Sequence, residues 1–166
     1  VRSKPLYQEV KYYDCDIICM QEMDYSNYQK FWTARMKELG YEGHFNRNQN
    51  KSHGVAIFFR KSMFAMIDHM HIQYDSIETA GIEPRTTTQN VGIVLALSLR
   101  GHQNNIVLIG TTHLFWHPFG TYERTRQTAI LLMKAKEFER RVKVLHPEIS
   151  KVWSFFAGDF NSQPFD

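Results

Sequence analysis

Polar side chains stand directly behind apolar runs of this sequence, where a buried strand would deliver them to its tip. Glu22 ends the run "CDIICMQE", and His113 follows "IVLIGTT". Asp159 and Asn161 come after "VWSFFAG". Strand ends in layered folds hold side chains rigidly at the rim of a cleft. Each residue alone has an ordinary explanation as a solvated glutamate, a hydrogen-bonded histidine or an Asx turn after Gly158, but the combination points to phosphate chemistry.

The four side chains suit a hard divalent cation acting on a phosphate ester. Mg²⁺ prefers oxygen ligands, takes few of them from protein and keeps waters for substrate phosphates, and Glu22 is a suitable ligand. Asp159 accepts hydrogen bonds, Asn161 both donates and accepts, and their spacing of two places them on one side of an extended segment. One can orient a nucleophile while the other holds a phosphate oxygen. His113 can donate to the phosphate charge that grows in the transition state, so Mg²⁺ is the predicted cofactor, with Mn²⁺ as an alternative.

Other chemistries find less support. "HLFWH" gives His113 and His117 the spacing of a helical zinc pair. That motif needs a glutamate beside the first histidine, where this chain has Leu114, and Pro118 would end a helix there. The sequence contains no GxxxxGK phosphate loop followed by Ser or Thr and no GxSxG elbow, which argues against P-loop nucleotide hydrolysis and serine acyl chemistry.

Candidate substrate-binding residues follow His113. Arg124 and Arg126 lie near the start of a long predicted helix that carries both basic and acidic residues. We expect these two arginines to reach a phosphate backbone. "FWHPFGTY" supplies aromatic planes, among them Trp116, for stacking against bases. A place in the hydrophobic core is an equally good explanation for Phe115 and Trp116.

Composition bounds the class of protein. The 166 residues are 43% hydrophobic and 14% aromatic, as expected for one folded domain. The net charge of +3 is compatible with a polyanionic partner without requiring one. No apolar run approaches the roughly 20 residues that span a bilayer, and no signal peptide is recognisable. Cys15 and Cys19, ~13 Å apart on a strand, could not form a disulfide, which favours an intracellular protein of the cytoplasm or nucleus, with no membrane partner.

Periodicity predicts an α/β protein. Helical spacing indicates helices over 2–13, 24–40 and 121–145, and apolar runs indicate strands over 15–22, 55–60, 64–74, 90–99, 106–114 and 151–161. Residues 75–89 look like a polar loop. Because several strands follow one another directly, a mixed sheet system with helices outside is favoured over a purely parallel fold.

Five segments resemble, in order, successive motifs of the endonuclease/exonuclease/phosphatase superfamily. They are "DCDIICMQEMD", "SHGVAIFFR", "QNVGIVLAL", "TTHLFWHPFGTYERTRQ" and "AGDFNSQP". The branch that they resemble most contains the CCR4-type, nocturnin and angel proteins, and within it the fungal NGL RNA exonucleases. "QE", "TH" and "GDFNS" in this order, each after a strand, are specific to the superfamily.

The resemblance implies a DNase I-like fold, a four-layer α/β sandwich of two mixed β-sheets flanked by helices. It implies Mg²⁺-dependent phosphodiester hydrolysis, here 3′-to-5′ removal of RNA nucleotides, and therefore RNA as partner. Glu22 matches the family's metal-ligand glutamate, and His113 matches the histidine that contacts the scissile phosphate. Asp159 and Asn161 match the pair that orients the nucleophilic water and holds phosphate or metal.

The sequence also departs from the family pattern. It lacks an asparagine on an early strand and the later aspartate and Asp-His pair, so we expect residues 1–166 to be the central portion of one domain, incomplete at both ends and inactive alone. Trp116-His117-Pro118 stands where CCR4-type proteins have Trp-Asp-Pro, which leaves a CCR4-like poly(A) preference in question. The alternatives are a phosphatase of a small phosphorylated metabolite and an inactive module that binds RNA or a partner.

Overall fold

Two β-sheets pack face to face, and helices cover the outer face of each. The structure is a computed structural model and describes residues 3–162. The layers run from a group of short helices through a three-stranded sheet and a four-stranded sheet to one long helix. The predicted four-layer sandwich is therefore confirmed.

The smaller sheet is antiparallel and has the strand order β1-β3-β2. Its strands are β1 (Ile17–Asp24), β2 (Tyr41–Asn46) and β3 (His53–Arg60). On its outer face, Trp32 and Met36 pack with Phe58 of β3 in a buried cluster. The central strand β3 is buried on both faces, which explains why "VAIFF" is apolar without alternation.

Short helices cover this sheet. Their bounds are Ser3–Tyr13 for α1, Tyr25–Asn27 for α2 and Thr33–Glu38 for α3, with a π-helical turn at Tyr28–Trp32. Asp24 caps α2 by accepting a hydrogen bond from the backbone N–H of Asn27 at 2.9 Å. Gly40, at φ +85°, follows the last turn. The helix predicted over 24–40 is thus a continuous helical stretch in which a π-helical turn separates two α-helical segments.

The larger sheet is mixed and has the strand order β4-β5-β6-β7. Its strands are β4 (Phe64–Gln73), β5 (Val91–Leu99), β6 (His102–His113) and β7 (Lys151–Asp159). The first three are antiparallel, whereas β7 runs parallel to β6. Helix α4 (Thr121–Leu145) makes the connection between β6 and β7 and buries Ile130 and Phe138 against the outer face of the sheet.

The core between the sheets comes from alternate residues of β3 and β5. Ile57 and Phe59 of β3 join Ile93, Leu95 and Leu97 of β5 in one fully buried cluster. Because β5 also packs towards α4 through its intervening residues, its whole apolar run is buried. Packing on both sides of β3 and β5 fixes how the two sheets are placed, and with it the position of their strand ends.

The sequence did not predict strand β2. Its residues "YEGHFN" lack an apolar run, and Gly43 interrupts them. A Cβ at Gly43 would collide with the ring of Phe58, so glycine lets β2 approach its neighbour. The other predicted helices and strands are confirmed within a few residues of their predicted ends.

The cysteines are both free, as predicted, but they differ in burial. Cys19 lies within β1 and is partly buried, whereas Cys15 precedes the strand and is exposed. The prediction that both lie on one strand is therefore wrong for Cys15, which precedes β1. No helix among residues 3–162 is long and apolar enough to cross a bilayer.

Candidate active site

His113 and Asp159 lie side by side at one end of the sandwich. Strands β6 and β7 are parallel, so their carboxyl ends lie side by side, and His113 is the register partner of Asp159. The Nε2 atom of His113 lies 3.7 Å from Oδ2 of Asp159. The His113 side chain is mostly buried, while about half of the Asp159 side chain remains exposed. The pair therefore places a mostly buried imidazole nitrogen beside a half-exposed carboxylate at the end of the sheet.

Asp159 and Asn161 form a tight turn beyond β7. The backbone N–H of Asn161 donates to Oδ1 of Asp159 at 2.9 Å, which is the Asx turn expected from the spacing alone. Asn161 has a left-handed φ of 49°, and its side-chain Nδ2 donates to the carbonyl of Leu114 at 2.9 Å. These two bonds fix the carboxamide, and among the described residues no hydrogen bond reaches its Oδ1. The amide oxygen is thus available to a ligand.

Glu22 lies at the same end of the molecule, on a β-bulge of β1. Pairing with β3 shifts between Met20 and Met23, and Glu22 adopts a left-handed φ of 53°. The preceding residue, Gln21, donates from Nε2 to Oγ1 of Thr111 at 2.9 Å, which ties the bulge to β6 two residues before His113. A non-glycine residue in this conformation is strained, and such strain is concentrated at functional sites.

The oxygen donors at this end are of the kind that Mg²⁺ or Mn²⁺ binds, in a site with few protein ligands. Residues 3–162 include no group of three or more His, Cys, Asp or Glu arranged to hold a metal ion. Mg²⁺ commonly takes only one or two protein carboxylates and fills its shell with water and phosphate. The exposed carboxylate of Glu22 meets that requirement. The helical zinc pair is not formed, because β6 ends at His113 and a loop follows.

Sequence reasoning missed Asn90, which holds His113 from behind. Its Nδ2 donates to the carbonyl of His113 at 2.6 Å. Its Oδ1 is buried and has no hydrogen-bond partner among the described residues. A cavity of ≈ 20 Å³, large enough for one water, adjoins Asn90 and His113 and is also lined by Lys51 and His53. Asn90 precedes an apolar run, whereas the candidate residues of the sequence pattern follow one.

Lys51 is a second residue that sequence reasoning missed. Its Nζ donates to the carbonyl of Thr88 at 2.9 Å, and it borders the same cavity as His113. Burial lowers the pKa of Lys51, and the nearby carboxylate of Asp75 opposes that effect. Asp75 in turn accepts hydrogen bonds from Thr88 and from the backbone N–H of Gln89. The ammonium group of Lys51 is therefore held in place beside the site.

The prediction that Arg124 reaches substrate has to be corrected. Arg124 is only 2% exposed, and its Nη1 donates to the carbonyls of Phe115 at 3.3 Å and His117 at 2.7 Å. Its Nη2 donates to Oγ1 of Thr121 at 3.2 Å. Arg124 therefore holds the loop that follows β6, and its guanidinium group does not face solvent.

Arg126 is corrected for the same reason. It is 2% exposed and donates to three carbonyls, those of Ile82 at 2.6 Å, Tyr74 at 3.2 Å and Ile77 at 2.7 Å. These bonds tie helix α4 to the segment that follows β4. With its donors used in this way inside the protein, Arg126 has a structural role in this fold.

Trp116 lies outside the core. It is 67% exposed on the loop between β6 and α4, so the core explanation does not apply to it. Its neighbour Phe115 is partly buried. Stacking of Trp116 on a base stays a prediction.

The class of protein is defined by the two-sheet sandwich with His113 and Asp159 at the carboxyl ends of adjacent strands. The model of the endonuclease/exonuclease/phosphatase family matches residues 1–166, and the chain belongs to that family. Within the family, its similarities lie in the branch of the CCR4, nocturnin and angel proteins.

Two curated fungal relatives are similar over nearly the whole chain. RNA exonuclease NGL2 of Saccharomyces cerevisiae is 51% identical over 179 residues, covering 99% of this chain and 35% of the relative. Probable RNA exonuclease C9B6.11c of Schizosaccharomyces pombe is 37% identical, covering 99% of this chain and 31% of the relative. The chain therefore spans about a third of the length of these relatives.

A solved structure shares the fold and a recognisable sequence. ANGEL2, described as a 2′,3′-cyclic phosphatase, superposes with a TM-score of 0.80 at 26% identity, covering 98% of this chain and 44% of ANGEL2. The two-sheet architecture described above is thus the architecture of a known family member.

Proposed function

We propose that this domain takes part in divalent-cation-dependent hydrolysis of phosphodiester bonds in RNA, removing nucleotides from the 3′ end. The observation that carries the proposal is the convergence of His113, Asp159 and Asn161 at one strand edge. The name of the 51% identical relative, an RNA exonuclease, supports RNA as the substrate.

The side chains have distinct roles in this proposal. Nε2 of His113 donates a hydrogen bond to a phosphate oxygen as negative charge grows on it. Oδ2 of Asp159 accepts a hydrogen bond from the attacking water and so orients it towards phosphorus. The fixed carboxamide of Asn161 positions the phosphate by donating the second N–H of its Nδ2 to a phosphate oxygen. Lys51 adds positive charge behind His113.

Glu22 would hold the cation, either Mg²⁺ or Mn²⁺. When bound, the cation neutralises phosphate charge and lowers the barrier to attack. Glu22 is exposed on a bulge, so its carboxylate does not pack in the core. Loss of that carboxylate should therefore affect turnover far more than folding.

The test uses the full-length protein that carries residues 1–166. We expect Glu22→Gln to lower the rate of RNA hydrolysis by at least about 100-fold while the melting temperature without metal stays within about 2 °C. Stabilisation on titration with Mg²⁺, visible in the parent as a thermal shift, should be lost as well. The matched control is Glu137→Gln, which removes an exposed carboxylate from α4. Wild-type rates in Glu22→Gln would refute the assignment.

The direction of attack needs a separate measurement. RNA labelled at its 5′ end should shorten one nucleotide at a time and release nucleoside monophosphates. Internal fragments appearing before shortened ends would contradict the exonuclease proposal.

A second candidate is hydrolysis of a small phosphate ester or a terminal cyclic phosphate. It is favoured by the likeness to ANGEL2, described as a 2′,3′-cyclic phosphatase. The same side chains would serve, because fold and phosphate chemistry do not select the substrate. Release of inorganic phosphate without nucleoside monophosphates, or opening of a cyclic phosphate end, would favour this candidate. Absence of all these products would leave an RNA- or partner-binding module.

A further inference from the structure

A hydrogen bond between the two sheets lies beside the candidate metal ligand. Nε2 of Gln21 on β1 donates to Oγ1 of Thr111 on β6 at 2.9 Å. Thr111 is only 1% exposed, so the acceptor end of this bond lies inside the protein. Glu22 follows Gln21 directly in the chain, and His113 lies two residues beyond Thr111 on the same strand. The bond therefore connects the segment that carries the carboxylate with the strand that carries the imidazole.

Strand β1 contains one extra residue at this point. Cys19 packs towards the core between the sheets, and Met20 packs towards the helices. Gln21 continues this alternation by bonding to the larger sheet. Strict alternation would then direct Met23 to the core, yet Met23 packs on the helix side. Glu22 is therefore the residue that breaks the alternation.

The backbone of Glu22 takes up the extra length. Gln21 and Glu22 both stand opposite the single residue Val55 of β3, which is the arrangement of a β-bulge. The left-handed φ of 53° at Glu22 is strained for any residue other than glycine, and such strain persists only where the surroundings hold the backbone. On the amino side of Glu22, the bond from Gln21 to Thr111 supplies that hold.

We propose that Gln21 and Thr111 are positioning residues that set the distance between the Glu22 carboxylate and the imidazole of His113. This inference rests on the proposed function, in which Glu22 holds the divalent cation and His113 donates to the phosphate. Neither positioning residue has to touch the cation or the substrate. Removal of side chains that hold metal ligands from behind commonly costs about 10- to 100-fold in metal affinity or activity.

A neighbouring hydrogen bond offers a measure of purely structural effects. Thr112 follows Thr111 on β6, and its Oγ1 shares a hydrogen bond with the hydroxyl of Tyr74 at 2.8 Å. Tyr74 packs with the cluster on the α4 side of the sheet, so this bond lies on the face opposite to β1. Both threonines are fully buried. Replacing either one by valine removes a buried hydroxyl and keeps the branched shape of the side chain.

The test compares Thr111→Val with Thr112→Val in the full-length protein. Mg²⁺ affinity is taken from the thermal shift on titration without RNA, and RNA hydrolysis is measured at saturating Mg²⁺. We expect Thr111→Val to weaken Mg²⁺ binding about 10-fold and to lower kcat about 10-fold, with the KM for RNA unchanged. Thr112→Val should lower the melting temperature, yet its Mg²⁺ affinity and kcat should stay within about 2-fold of the wild type.

Further variants separate the bond between the sheets from the other contacts of Thr111. Thr111→Ser keeps the hydroxyl and should restore the Mg²⁺ affinity. Thr111 is also a hydrogen-bond partner of the Cys19 thiol, and Gln21→Met leaves that contact intact while it removes the donor to Thr111. Gln21→Met should therefore reproduce the effect of Thr111→Val, and it decides the question if Thr111→Val does not fold. The double variant should lose no more Mg²⁺ affinity than either single one, because both substitutions remove the same bond.

Failure of this inference and failure of the proposed function give different results. If the positioning pair alone is wrong, the wild-type protein hydrolyses RNA and is stabilised by Mg²⁺, while Thr111→Val and Thr112→Val do not differ in either property. If the proposed function is wrong but the pair is right, the wild-type protein releases no nucleotide, yet its Mg²⁺ affinity still falls in Thr111→Val. A wild-type protein that Mg²⁺ does not stabilise would overturn both.

Discussion

Burial gives single residues of the same type different chemistry in this chain. Cys19 lies in the partly buried strand β1, whereas Cys15 lies before it in solvent. Burial raises the pKa of Cys19 to about 11, and a hydrogen bond with Thr111 acts in the opposite direction. Because the thiolate is the reactive form, burial makes Cys19 chemically inert at neutral pH.

Thiol labelling tests this difference. At pH 8, a thiol with a pKa of about 11 is about a thousandth thiolate, so we expect iodoacetamide to modify Cys15 and to spare Cys19 until the protein unfolds. Burial stabilises the protonated thiol, so its contribution to stability should be lost as the pH rises from 9 towards 11. Peptide mass spectrometry after timed labelling measures both rates, and equal rates in the native protein would contradict the burial of Cys19.

At the scale of elements, helix α4 is more than a cover for the sheet. Its sequence alternates basic and acidic residues, a pattern typical of a solvated face. In the fold, Arg126 instead crosses to the segment after β4 and donates to three of its carbonyls. The long loop over 75–89 is therefore anchored by a helix that lies some forty residues further along the chain.

Replacement of Arg126 by methionine tests this anchor. Arg126→Met keeps the length of the side chain but leaves three carbonyls without their donor, so we expect a loss of about 3 kcal/mol in the free energy of unfolding. Limited proteolysis should then cut within 75–89 before elsewhere. The control is Lys136→Met on the exposed side of α4, where the expected loss stays below about 0.5 kcal/mol. Equal melting temperatures for both variants would argue against the anchor.

At the scale of the whole molecule, the sandwich is open along one side. Strands β1 and β7 are the outer strands there, and neither pairs with a further strand among the described residues. Phe155 of β7 is the register partner of Ile109, which belongs to the core between the sheets, yet Phe155 is 56% exposed. The inner face of the larger sheet therefore extends beyond the smaller sheet on this side, and Phe155 is left uncovered there. Open edges beside exposed apolar residues promote association between chains.

Self-association of the 166-residue chain is the consequence that can be measured. We expect the isolated chain to form concentration-dependent oligomers in analytical ultracentrifugation, and Phe155→Lys to reduce them by placing charge on the open face. Leu132→Lys, which changes an exposed apolar residue on α4, should have little effect. A monomeric parent chain, or equal effects of both substitutions, would contradict this prediction.

The sequence alone predicted most of the elements and the polar side chains that stand at their ends. Buried strands and amphipathic helices have characteristic spacings of apolar residues along the sequence. Apolar runs of the strand type lead to Glu22, His113 and Asp159. The five segments that resemble the family's motifs also occur in the family's order along the chain, and this order supported the predicted fold. Strand β2 escaped because its stability comes from packing against β3, not from its own composition.

Only the tertiary structure decided which polar groups face solvent. Arg126 looks like a surface residue until Ile77 and Ile82 bring their carbonyls to it, and Asn90 looks unremarkable until β5 places it behind His113. The partners lie 23 to 49 residues away along the chain, so no local pattern records them. Periodicity is a property of neighbours in sequence, whereas the burial of a charge is a property of neighbours in space.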